Sequence, residues 1–110
     1  FLEAGEYARL AGDARVGTQS ALHRGIIANI VGDLKGAERH YRSALDTARS
    51  LGLQRELAAV LNNLGQLLAD LRRWDDAERA YRECARVSTA LGDELAIASA
   101  HVNLAEVWIG

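Results

Sequence analysis

The chain repeats itself every 40 residues, and that period constrains its fold more than any other feature. Tyr41 returns as Tyr81, with Phe1 holding the same place one period earlier. Ala37 returns as Ala77 and Glu38 as Glu78; Leu51-Gly52 returns as Leu91-Gly92, preceded by Ala11-Gly12. In the other half of the unit Gly25 matches Gly65 and then Ala105, Leu64 matches Leu104, and Asn63 matches Asn103. A fixed period of this size specifies a stack of similar units, in which each unit covers the hydrophobic face of its neighbour.

Each unit reads as two helices. Leu57, Val60, Leu61, Leu64, Leu67, Leu68 and Leu71 step by three and four and share one helical stripe. Trp74, Ala77, Tyr81, Cys84, Ser88 and Leu91 do the same for the next helix. The sequence holds no proline to interrupt them. Punctuation comes from Gly12-Asp13, Gly32-Asp33 and Gly92-Asp93: glycine closes a helix in the left-handed conformation, and aspartate caps the amides that open the next. The pattern predicts helices over 2–11, 14–31, 34–51, 54–71, 74–91 and 94–109, six in all, antiparallel because their connections are short. Gly65 with Ala77, and Gly25 with Ala37, are expected where the two helices of a unit cross closely.

The length of 110 residues suits one domain, read here as a partial repeat over 1–12, full repeats over 13–52 and 53–92, and a first helix of a further repeat over 93–110. Because Phe1 opens the chain inside a helical pattern, the sequence is expected to be a piece of a longer protein. Hydrophobic residues at 49% and charged residues at 25% are ordinary values for a folded domain. Charges of both signs alternate to a net of -2, so neither a nucleic-acid footprint nor a membrane-surface patch is visible. No apolar run approaches a bilayer-spanning length. A single cysteine excludes an internal disulfide and fits a reducing compartment, so a cytoplasmic location is expected.

Leu64-Gly65, Trp74, Ala77, Tyr81 and Cys84, with Gly25, Leu34, Ala37, Tyr41 and Ala44 before them, resemble the signature of the tetratricopeptide repeat. The long period resembles the variety found in spindle-orientation adaptors, kinesin light chains, peptide-pheromone receptors and bacterial transcription activators of the maltose-regulator type. The resemblance implies an all-α fold in which helix pairs stack into a right-handed superhelix, an α-solenoid. Two departures stand out: the family's proline near the end of the second helix is missing, and Arg24 fills the slot of Leu64 and Leu104.

Residues with chemical potential fit structural roles. His23, His40 and His101 have no partner ligand at helical spacing, so neither a metal nor a cofactor is expected. His101 falls where Leu61 sits one period earlier and is expected to be partly buried; His40 is placed on a solvated face. Cys84 takes the small packing position of Ala44. Asp75-Asp76 open a helix, where acids favour the positive end of its dipole. Tyr41, Tyr81, Trp74 and Trp108 are expected in the core. With no phosphate loop and no nucleophile constellation, the chain reads as non-catalytic.

Function is expected on the face of each first helix that the core does not use, which the resemblance places on the concave side of the array. It implies Gln19, Leu22, His23 and Ile26 in the first unit, Asn62, Asn63, Gln66 and Asp70 in the second, then Ser99, Val102, Asn103 and Glu106. Amide side chains both donate and accept, so Asn63 and Asn103 are suited to clamp a peptide backbone. The lysine clamp that some members use for C-terminal carboxylates is absent, since Leu22, Asn62 and Val102 hold its slots. The expected partner is a protein or peptide. The alternative reading is a ligand-sensing or self-association segment of a bacterial transcriptional regulator or signalling ATPase. Apolar Leu104, Val107 and Trp108 on the last helix suggest a homodimer through that end.

Overall fold

The computed structural model describes residues 4–109, so Phe1 and its equivalence to Tyr41 and Tyr81 lie outside the described residues. Five helices follow one another: α1 (Ala4–Ile30), α2 (Leu34–Leu51), α3 (Gln54–Asp70), α4 (Trp74–Leu91) and α5 (Glu94–Ile109), with no strand among the described residues. The all-α reading holds, but six helices were expected and five form. The difference lies at Gly12-Asp13, where α1 continues for 27 residues without a break. Gly12 is not among the glycines with positive φ, whereas Gly32 (88°), Gly52 (66°) and Gly92 (71°) are.

Elsewhere the punctuation acts as its chemistry dictates. The Asp33 carboxylate accepts from the Gly36 amide at 3.0 Å and the Asp93 carboxylate from the Ala96 amide at 3.1 Å, so each caps a helix start. The amide of Gly52 donates to Ala48 and Arg49 carbonyls at the end of α2, and Gly92 repeats this with Ser88 and Thr89. The period also places Arg72 where Gly32 stands, and Arg72 adopts the left-handed region at φ 63°.

Helix α3 is the centre of the molecule and touches all four others. Its Leu57, Val60, Leu61, Leu64, Leu67 and Leu68 are all buried, because α2 covers one side and α4 the other. Close approach is arranged by glycine. A Cβ on Gly65 would stand 2.6 Å from Cε1 of Tyr81, and Gly25 faces the Tyr41 ring in the same way. Tyr41, Tyr81, Ala37 and Ala77 are accordingly buried.

The helices form two layers. In one, α1 touches α3 and α3 touches α5; α2 and α4 in the other layer do not meet and are joined through long side chains. Arg49 pairs with Glu83, and Arg73 bridges Glu38 (2.9 Å) and Asp76 (3.1 Å). These are exposed pairs screened by solvent, so burial around α3 holds the stack together.

Candidate partner-binding groove

The layer of α1, α3 and α5 carries the side chains that sequence reasoning singled out. Asn62 sits half-buried on α3, and its Oδ1 accepts from Asn103 Nδ2 of α5 at 2.7 Å. Arg15 of α1 meets Glu56 of α3 at 3.0 Å on the same layer. Of the two amides expected to clamp a peptide backbone, Asn103 is thus held by Asn62, and Asn63 points elsewhere. Asn63 is turned so that its Nδ2 donates to the Ala59 carbonyl of its own helix at 2.9 Å, leaving Asn62 to reach α5.

Between α3 and α5 the layer opens into a groove of about 630 Å³. Arg55, Ala58, Ala59 and Asn62 line it from α3; Leu91, Gly92 and Asp93 from the α4–α5 connection; Leu95, Ala96 and Ser99 from α5. Its lining is mostly small and apolar, with the Asn62 amide, the Ser99 hydroxyl, the Arg55 guanidinium and the Asp93 carboxylate as polar members. Cys84 lies at the floor, 3% exposed, with its Sγ donating to the Ala58 carbonyl at 3.3 Å. Burial pushes its thiol pKa up, so it stays protonated and acts in packing.

Further along α3 and α5, the exposed carboxylates of Asp70 and Glu106 lie near Tyr81. Burial of Tyr81, followed by the charges of Glu106 and Asp70, lifts its hydroxyl to about 12. The layer therefore runs from a guanidinium at the start of α3, through amides, to carboxylates at the ends of α3 and α5.

Of the expected partner-binding residues, the structure brings Asn62 and Asn103 together and sets Asn62 and Ser99 in the groove. Gln66 and Glu106 are exposed on the same helices, while Gln19 and His23 are exposed on α1, away from the groove lining. Arg55, Leu91 and Leu95 were missed. Their helical turns were legible, but neither a lone arginine nor a leucine at a helix end signals a groove in sequence.

At the last helix, Val107 is buried in the core and Leu104 is half-buried, whereas Trp108 is 67% exposed. Trp108 is thus not a core residue. It lies over α4, with Nε1 donating to Glu78 at 3.3 Å and the Arg82 guanidinium 5.7 Å from its ring. The bonds from Arg82 and Trp108 hold the Glu78 carboxyl below its ordinary pKa. His101 is exposed rather than partly buried. His40 is half-buried, and Trp74 is half-buried with Arg72 6.0 Å from its ring.

No helix of the described residues is long and apolar enough to cross a membrane. A family model described as tetratricopeptide repeat matches residues 17–90, more than half of the chain. Comparison with curated proteins and with solved structures finds no match.

Proposed function

Because this chain belongs to the tetratricopeptide-repeat family, whose members typically act as non-catalytic modules for protein interaction, we propose that it binds a peptide or partner helix along the α1, α3 and α5 layer. That layer is the concave side of the stack in this reading, since its helices touch while α2 and α4 stand apart. The carrying observation is the groove between α3 and α5, which is lined by Ala58, Ala59, Leu95 and Ala96 together with Arg55 and with Asn62 of the Asn62–Asn103 amide pair. Apolar contacts supply affinity there, and unspent amide donors and acceptors bracket a peptide backbone.

The chain divides, in this reading, into repeats over 13–52 and 53–92 of the 40-residue variety, with flanking parts of neighbouring repeats. Its partner is a protein rather than a nucleic acid in this reading, since the net charge is only -2 and Arg15 of the layer is matched by Glu56. Replacing Asn62 and Asn103 together by alanine tests the site with a peptide selected from a random library on the wild-type chain. Loss of one net hydrogen bond or two predicts an affinity about tenfold lower with the fold intact. Unchanged affinity moves the site elsewhere.

A second reading is favoured by exposed Leu95, Val102 and Trp108 on α5. In it the repeats serve a bacterial transcriptional regulator or signalling ATPase, sensing a ligand and controlling self-association. A phosphate-binding loop or a helix-turn-helix in the flanking sequence of the parent gene decides for it.

A further inference from the structure

The repeat supplies an internal reference for the groove between α3 and α5, because the same gap occurs one period earlier between α1 and α3. There it is bridged. Glu56 of α3 reaches Arg15 of α1 at 3.0 Å with its side chain only 13% exposed, and Leu53, which precedes α3, is buried. Counted forward by one period, Glu56 becomes Ala96, Leu53 becomes Asp93, and Thr18 and Gln19 become Ala58 and Ala59. Each of these four replacements lines the groove. What occupies the first gap comes from its own two walls, so the opening of the second follows from its own residues, whatever flanks the chain.

One member of the bridged arrangement is kept. Arg55 stands where Arg15 stands one period earlier, and it lines the groove from α3. The carboxylate that would answer it is gone with Ala96, and Arg55 enters no ion pair among the described residues. Asp93, the acid of the lining, does not stand in for it: its carboxylate accepts the Ala96 amide at 3.1 Å and caps α5. A guanidinium with its donors unspent therefore lines a space that a carboxylate side chain fills one repeat earlier.

We propose that the partner supplies the missing carboxylate: an acidic side chain of the bound peptide enters the groove and pairs with Arg55, as Glu56 pairs with Arg15. This rests on the reading of the groove as the peptide site. The occupant is a side-chain carboxylate and not a chain terminus, since a side chain is what the first gap holds. Ala58, Ala59 and Ala96 leave room for its methylene groups, and Leu91 and Leu95 offer apolar contact to neighbouring residues of the peptide.

Selection of a random peptide library on the whole chain, followed by a charge-swap cycle, tests this. Selected peptides are expected to carry an acidic residue at a common position. Exchange of that residue for its amide is expected to weaken binding to the wild type about fivefold and to leave binding to Arg55→Gln unchanged. Reversing both signs, with Arg55→Glu in the chain and lysine in the peptide, is expected to restore affinity that either reversal alone removes. Ala96→Glu returns the carboxylate of the first gap to the second, and is expected to lower affinity for the acidic peptide more than Ala96→Gln of the same length. Arg55 is exposed, and circular dichroism checks that each variant folds. Peptides that lose affinity when Asn62 and Asn103 are both replaced by alanine, yet are indifferent to Arg55→Gln, would overturn the carboxylate proposal and leave the groove as the peptide site. Peptides indifferent to both changes, or a selection that yields no binder, would overturn the reading of the groove and this proposal with it.

Discussion

Gly65 and Tyr81 compete for one volume between α3 and α4, and glycine lets the ring have it. With a Cβ 2.6 Å from Cε1 and the ring 3% exposed, Tyr81 has no solvent side to retreat to. Gly65→Ala is expected to lower stability by about 1–3 kcal/mol, and Gly65→Leu by more. Urea unfolding reads this directly; an unchanged midpoint contradicts the close approach. Arg72 poses the opposite case, a side chain in the left-handed region that costs roughly 1–2 kcal/mol. Its contact with Trp74 at 6.0 Å returns less, about 0.5–1 kcal/mol at an exposed site. Arg72→Gly is therefore expected to stabilise the chain slightly, and a loss beyond about 1 kcal/mol would show that the Trp74 contact dominates. Tyr81 also sets a pH limit. Its hydroxyl ionises near 10 when unfolded and at about 12 when folded. As pH rises between those values the unfolded chain has given up the proton that the folded chain keeps, so stability falls there and is unaffected below. Tyr81→Phe is expected to remove that part of the alkaline decline in a series of urea midpoints; an identical slope in wild type and variant would deny the shift.

At the scale of the element, most boundaries were legible because local chemistry and packing agree. Gly32-Asp33 and Gly92-Asp93 each place a left-handed residue before a capping carboxylate, and a packed helix follows both. Gly12-Asp13 carries the same two residues and no turn. Turn residues permit a reversal but do not impose one, and a helix that continues keeps its backbone hydrogen bonds through the site. The sign of one substitution distinguishes the outcomes. Gly12→Ala is expected to stabilise the chain by about 0.5–1 kcal/mol, since alanine is the better residue inside a helix. A destabilisation of similar size would restore the turn. The candidate site was legible in part for a related reason. The resemblance to the repeat family implied the layer and its amides, but not which of two adjacent asparagines reaches α5: Asn63 bonds back to Ala59 and Asn62 crosses. Arg55 and Leu95 became site residues only when α3 and α5 were set side by side.

Across the whole molecule, α3 supplies the core and the outer helices keep large apolar residues at the surface. The difference shows in exposure: large apolar residues of α3 are buried, while Leu95, Val102 and Trp108 of α5 and Ile27 and Ile30 of α1 are not. The periodic sequence signalled a stack, but not that Trp108 would turn onto Arg82 and Glu78 or that Val107 would fill the core, since both depend on which neighbouring helix is present. The central claim is that the groove between α3 and α5 receives a peptide. Its most direct test is a titration of the isotopically labelled chain with a peptide selected from a random library, followed by backbone amide shifts. The account predicts the largest changes at Ala58, Ala59, Asn62, Leu95 and Ser99, with α2 little affected. Changes concentrated on the exposed faces of α2 and α4, with the groove amides still, would contradict it.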